Sequence, residues 1–281
     1  MSTTLSKPQV VAYKLRRVAQ TWQTFENWPG LLGEMGREVV GKGSQTLTFR
    51  TRDGLVMSCP NIPGARLPMY EQFADDCYDM KWLLDPFQGR DIHVLDIGAH
   101  VGAFSCRLAS MHPTARVDSF EPSPDTLAFL QRNVDQNHFG DRVSVHGVAL
   151  AGEVGTAELD DNSGASVHNG LIRGDERLVH GDDALGARHT ITVQTTTFEK
   201  ALADAGGSVE IVKMDCEGGE YGLVYGSSPD SWASVQRIVM EHHPVEGESW
   251  ETLRSWFADA GLHVRRDTSD GTGLGNAWLS R

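Results

Sequence analysis

The sequence predicts an α/β fold, a mainly parallel seven-stranded sheet with helices on both faces, behind an N-terminal extension of helix and hairpin. Three observations predict it. From residue 91 onward, short apolar runs alternate with segments of helical periodicity, the pattern of a parallel sheet with helical crossovers. The first run, 92–95, ends in Asp96 and then a turn holding Gly98 and Gly102 ahead of the helical stretch FSCRLASM. The second, within ARVDSFE, ends in Glu121. Acids at both strand ends put polar chemistry at the carboxyl edge, where open α/β sheets bind ligands.

At 281 residues the chain can bury a sizeable core and form one large domain with an extension. Its 40% hydrophobic and 22% charged residues are those of an ordinary soluble protein. A formal charge of −13 argues against a phosphate-backbone partner, so no nucleic acid is expected. Cys59, Cys77, Cys106 and Cys216 form no close pair or metal-ligand cluster, and no apolar leader or bilayer-length segment is evident. A reducing, cytoplasmic setting with no membrane partner is the expectation.

Residues 1–84 read as the extension and 85–281 as the main domain. After a short lead, 10–28 predicts an amphipathic helix with Val11, Leu15, Val18, Trp22 and Phe25 on one side, stopped by Pro29 and Gly30. Its basic residues Lys14, Arg16 and Arg17 read as a solvated face. A hairpin over 45–59 turns at Asp53-Gly54. NIPGARLP reads as loop, and a helix over 69–84 buries Phe73, Tyr78, Trp82 and Leu83 before Asp85-Pro86 ends it. Strands are expected at 92–96, 116–120, 143–148, 209–214, 236–241, 262–266 and 275–280, the last an antiparallel edge. Helices are expected at 102–111, 123–137, 197–205 and 249–260, with another opening near Glu220. The stretch 151–190 breaks the rhythm with a short hairpin and a long acidic loop, whose Arg-Gly-Asp at 173–175 reads as accidental.

The first glycine turn reads D-x-G-x-x-x-G rather than G-x-G-x-x-G. It lacks a pyrophosphate cradle and suits a nucleoside without phosphates, while Glu121 can accept hydrogen bonds from a ribose diol. Farther on, VEIVKMDCEGGE brings Asp215, Glu217 and Glu220 to one strand end, and the next strand delivers Glu241, His242 and His243. Two-residue alternation puts Glu241 and His243 on one side and His242 on the other. Asp215 and Glu217 share an opening if the strand stays extended to 217. A histidine poised near neutrality suits a general base, so His243 is the first candidate, with Glu241 orienting it. A divalent ion on Asp215, Glu241 and His243 is chemically reasonable, but they complete no metal motif, and no required metal is expected.

Four stretches, VLDIGAHVGAFS, FEPSPDTLAFLQRNV, IVKMDCEGGEYGLV and IVMEHHP, together resemble the FkbM-type methyltransferases over roughly residues 85–281. Met214 and Cys216 depart mildly from the aliphatic residues common there. The resemblance implies a Rossmann-like class I methyltransferase fold, S-adenosyl-L-methionine as cofactor and a small polar acceptor, natural product or sugar-like, methylated on oxygen. Nitrogen of an amino or guanidino group is the alternative. An NAD-dependent oxidoreductase and a noncatalytic cofactor-binding protein are the readings from other classes. Asp96, Gly98, Ala99, His100 and Gly102 are then expected around the methionine and ribose, Glu121 on the ribose hydroxyls, and Pro122 and Ser123 beside adenine. Ala149 and Leu150 would close that pocket. Asp215, Glu217, Glu241 and His243 are the expected catalytic or acceptor-binding set. The extension and the 151–190 stretch are expected to cover the acceptor, using Tyr70, Tyr78, Trp82, Asp161, Asn162, Ser163 and His168. A homodimer through the extension is a further expectation.

Overall fold

The computed structural model describes residues 7–161, 170–172, 189–269 and 271–281. Strands β1 (Thr46–Arg50) and β2 (Val56–Pro60) form the expected hairpin. The main sheet holds β3 (His93–Ile97), β4 (Arg116–Phe120), β5 (Val143–His146), β10 (Ile211–Met214), β11 (Arg237–His242), β12 (His263–Asp267) and β13 (Gly275–Ser280). Its order is β12-β13-β11-β10-β3-β4-β5, parallel from β11 to β5. Helices α5 (Ala103–Met111), α6 (Pro124–Gln136), α7 (Phe198–Asp204), α8 (Glu220–Tyr225) and α9 (Trp250–Asp259) supply the crossovers and covering layers. The inner strands alternate apolar residues between two cores. Val94, Val117, Val143, Ile211 and Val239 join α5, α6 and the extension on one face. Leu95, Ile97, Val212, Met214, Ile238 and Met240 join α7, α8 and α9 on the other. Burial on both faces is the reason these strands read as continuous apolar runs. The last strand is not an edge: β13 lies antiparallel between β11 and β12, and β12 closes the sheet.

The extension departs further from expectation. Pro29 and Gly30 do not stop a helix; they sit in the first turn of α2 (Trp28–Val39), where proline needs no amide partner. The preceding α1 (Lys7–Thr24) ends where Phe25 bridges Thr51 of the hairpin. Val11, Leu15, Val18 and Trp22 of α1 are exposed, whereas its Arg17, Gln20 and Thr21 turn toward the body. NIPGARLP is not loop but the start of α3 (Pro63–Tyr70). No single helix spans 69–84. A π-turn over Glu71–Asp75 follows α3, Asp76 (φ 50) and Asp79 (φ 53) take left-handed conformations, and α4 (Met80–Leu84) restarts. The two aspartates make this break by bonding downstream amides, Asp76 that of Met80 and Asp79 that of Trp82, both at 3.1 Å.

The described residues within 149–196 build a second sheet, more than the short hairpin expected there. It has β6 (Ala149–Leu150), β7 (Gly155–Asp161), β8 (Gly170–Ile172) and β9 (His189–Thr196) in the order β6-β9-β7-β8. The unforeseen β9 was legible as alternation of β-branched residues in HTITVQTT. Asn162, Ser163, His168 and the tripeptide 173–175 lie outside the described residues, as does the side chain of Asp161. No described helix is long and apolar enough to cross a membrane.

Candidate active site

Three neighbouring strands carry one polar row through the core. Asp96 on β3 pairs in register with Ser119 on β4 and Lys213 on β10. Asp96 is fully buried, and it can be because it is paired. Its Oδ2 accepts from Ser105 Oγ at 2.5 Å and its Oδ1 lies 3.3 Å from Lys213 Nζ. Burial works against the Lys213 charge, but Asp96 and Asp215 outweigh it and hold the ammonium above its ordinary pKa. The same ammonium donates to the Gly98 carbonyl, and Asp215 N donates to Ile97 O at 3.0 Å. The ends of β3 and β10 are thereby cross-linked.

The turn after β3 depends on glycine at one point above all. Gly98 has φ +73, and a Cβ there would stand 1.8 Å from the Asp215 carbonyl oxygen. His100 is also left-handed, at φ 50. Its enclosure and the Lys213 charge push its pKa down to about 3, so its ring is neutral. Gly102 caps α5 with φ 81 and, as glycine, brings no capping side chain of its own. Across the turn, Glu121 is 6% exposed and spends both oxygens on backbone amides: Oε2 on His100 N and Oε1 on Ser123 N, each at 2.9 Å. Burial raises its pKa to about 7 despite those two donors. Pro122 is half-buried and Ser123 buried beside it, and Ala149 and Leu150 are buried in β6. All ten residues expected at the cofactor therefore lie on β3, on the ends and turns after β3 and β4, or on β6.

The acidic residues converge by a different route from the one their alternation suggested. The strand ends at Met214, and Glu217 reaches the site from a turn in which it adopts φ 50. There Glu217 Oε2 lies 3.4 Å from His243 Nε2, and Glu241 Oε1 lies 4.0 Å from the same nitrogen. Asp215, Glu241 and His243 place ligand-type atoms within 4.8 Å of one another. The imidazole is held from behind by fully buried Glu220, whose Oε1 accepts from His243 Nδ1 at 3.0 Å and from Cys216 N at 3.0 Å. His242 faces the opposite way, stacked on Trp250 with centroids 4.2 Å apart and bonded to Gly273 O.

The protonation pattern differs from a neutral histidine base. Burial works to deprotonate His243, but Glu220 and then Glu217 raise its pKa to about 10. Burial raises Glu217 to about 9, and burial with Asp215 raises Glu241 to about 8. Glu71, on the π-turn, rises to about 7 through burial and the Asp215 charge. A protonated His243 has no lone pair on Nε2 for a metal ion, so a divalent ion would first have to displace that proton.

Of the aromatic candidates, Tyr78 alone meets this cluster, its hydroxyl donating to Asp215 Oδ2 at 3.3 Å. Tyr70 instead bonds Thr21, and Trp82 lies under the Arg237 guanidinium. Sequence reasoning missed Lys213, Glu71 and the central place of Glu220. A lysine inside an apolar strand was the available signal for Lys213, since a buried ammonium needs a nearby acid.

The sequence model of the Methyltransferase FkbM domain matches residues 96–264, well over half of the chain. The chain belongs to the FkbM-type methyltransferases. Among its curated relatives are methyltransferase sdnD of Sordaria araneosa, 24% identical over 71% of this chain and 83% of the relative. Another is the 31-O-demethyl-FK506 methyltransferase FkbM of Streptomyces tacrolimicus, 25% identical over 73% and 85%. In fold it is similar to the magnesium protoporphyrin IX methyltransferase ChlM of Synechocystis PCC 6803, at TM-score 0.44 and 13% identity over 78% of this chain and 82% of that one. This FkbM-type enzyme is an S-adenosylmethionine-dependent methyltransferase acting on a small molecule. Its first glycine turn fits that cofactor through the buried Glu121 carboxylate across it, which accepts from two backbone amides and keeps further lone pairs suited to a ribose diol.

Proposed function

We propose that this FkbM-type enzyme O-methylates a small polar acceptor, natural product or sugar-like, at the mouth formed by Asp215, Glu217, Glu241 and His243. The observation that carries the reading is the close crossing of Gly98 and Asp215, which sets the acidic cluster directly beside the glycine turn. When bound, S-adenosylmethionine supplies a methyl group already activated by its sulfonium. Glu121 would hold the ribose hydroxyls with the lone pairs its two backbone amides leave over. Ala99, His100 and Gly102 would border the methionine and ribose, with Gly98 setting the turn and Asp96 anchoring it from beneath through Lys213. Pro122 and Ser123 would border adenine, and Ala149 and Leu150 would close the pocket.

On the acceptor side, Asp215 and Glu241 would orient the hydroxyl, and Glu241 would take its proton. A carboxylate whose pKa burial has raised to about 8 is a stronger base than an ordinary one. His243, held charged between Glu217 and Glu220, would keep a fixed positive charge beside these acids. Tyr78 would hold Asp215 in place and, with the extension, help exclude water. One relative bears the name 31-O-demethyl-FK506 methyltransferase, an oxygen acceptor by that name, which favours oxygen here. A second reading is methylation of an amino or guanidino nitrogen. It is favoured by the raised pKa values of Glu71, Glu217 and Glu241, which a cationic acceptor would relieve. The four cysteines are free, which supports a reducing, cytoplasmic setting. Incubating the enzyme with isotopically labelled methyl donor and a broad pool of polar acceptors, then locating the label by mass spectrometry, separates the two. Label on a hydroxyl supports the first reading; label on nitrogen replaces it with the second.

A further inference from the structure

We infer that the exposed face of α1 is the surface on which a second copy of this chain docks. Helix α1 lies inside out. Its polar side is the one packed on the body: Thr21 Oγ1 bonds Tyr70 at 2.8 Å, and Arg17 and Gln20 both reach Asp75. Its apolar side faces away, with Val11 56%, Leu15 65%, Val18 46% and Trp22 55% exposed. Ala12 and Ala19 are exposed beside them. At 100° per residue these six side chains span about 120°, the width of a stripe that ordinarily faces a core. The exposure is concentrated here. Among the described residues, Tyr13, Val39 and Val40 add to it, and only Met111 and Val154 of the large exposed hydrophobics lie outside the extension.

The pattern fits a copy of itself. Val11, Leu15, Val18 and Trp22 recur at intervals of four, three and four, the spacing by which one helix seats in another. That series reads the same in both directions. A two-fold axis midway between Leu15 and Val18 therefore sets Leu15 of one copy opposite Val18 of the other, and small Val11 opposite large Trp22. The alanines flank the seam and allow close approach. Such self-complementarity is what an isologous interface requires. Charge points the same way. Helix α1 carries Lys7, Lys14, Arg16 and Arg17 and no acid, on a chain of net charge −13. An anionic bilayer would repel a chain of this net charge as a whole. Arg16 and Arg17 share Asp75, which offsets part of their charge beside the seam. A specific interface buries ~1,000 Å² or more, and exposed Val39 and Val40 at the end of α2 offer further apolar surface in the extension. The residue α1 grips, Asp75, ends the π-turn that carries Glu71, so docking braces the segment beside the acidic cluster.

Sedimentation velocity on the full chain tests this. The wild type is expected to sediment at about twice 30.8 kDa at ~10 µM. Leu15→Glu and Trp22→Glu, both at exposed positions, are each expected to weaken association at least 100-fold, with unchanged circular dichroism. Val154→Glu, an equally exposed change elsewhere, should remain dimeric. Amide hydrogen exchange in α1 and in 71–79 should slow as protein concentration rises. A wild type that stays monomeric at ~100 µM overturns the inference, as does a dimer that neither substitution dissociates. Co-flotation of the wild type with phosphatidylserine vesicles, lost in Leu15→Glu, also overturns it, in favour of a lipid partner.

Discussion

Burial alone would strip His243 of its proton, yet Glu220 at 3.0 Å and Glu217 at 3.4 Å keep it on, raising its pKa to about 10. The pH dependence of stability follows from signs alone. His243 has a folded pKa above its ordinary 6.5, so its contribution is complete below that value and is lost as pH rises through about 10. Glu241 and Glu217 are also raised from the ordinary 4.5, to about 8 and about 9, so their contributions are complete below about 4.5 and are lost as pH rises through those values. The ligand-free protein is therefore expected to melt at progressively lower temperature from pH 6.5 to pH 10, read by calorimetry. Glu217→Gln should flatten that decline, and a melting temperature that rises with pH would contradict the assignment of charges. At this scale the sequence was partly legible. Alternation placed Glu241 and His243 together and turned His242 away, because β11 is regular. It did not show the charge state of His243, since the deciding partner, Glu220, opens α8 after a turn whose course no periodicity records.

At the scale of elements, the parallel strands and their helices were legible because two apolar cores impose simple patterns on them. The helices of the extension were not, because aspartates rewrite them. Asp76 and Asp79 bond downstream amides and break what reads as one helix, and proline opens α2 and α3 instead of closing their predecessors. The turn after β3 shows the reverse case, a single position on which two elements depend. Gly98 must be glycine both for its φ of +73 and for the 1.8 Å that a Cβ would leave to the Asp215 carbonyl oxygen. Gly98→Ala should force β3 and β10 apart at their ends, costing on the order of 3 kcal/mol or more in denaturant unfolding. It should weaken cofactor binding and displace the acidic cluster together. A variant as stable as the wild type, with unaltered cofactor affinity, would contradict the close crossing described here.

For the molecule as a whole, the sheet divides the labour. The β3 and β4 ends gather Gly98, His100 and Glu121, and the β10 and β11 ends gather Asp215, Glu217, Glu241 and His243. The buried Asp96–Lys213 pair ties the two halves at one level of the sheet. That division was legible from the acids closing four strands, whereas the buried cation joining them was overlooked. It makes a separable prediction: damage to one half should spare the function of the other. Isothermal calorimetry of S-adenosylmethionine against wild type, Glu121→Ala and Glu241→Gln, alongside methyl transfer to the acceptor found by labelling, measures this most directly. Glu121→Ala removes two charge-assisted contacts and should weaken cofactor binding by about 100-fold or more. Glu241→Gln should bind the cofactor within about twofold of wild type yet lose most turnover at saturating cofactor. Unchanged cofactor affinity in Glu121→Ala, or full turnover in Glu241→Gln, would contradict the account.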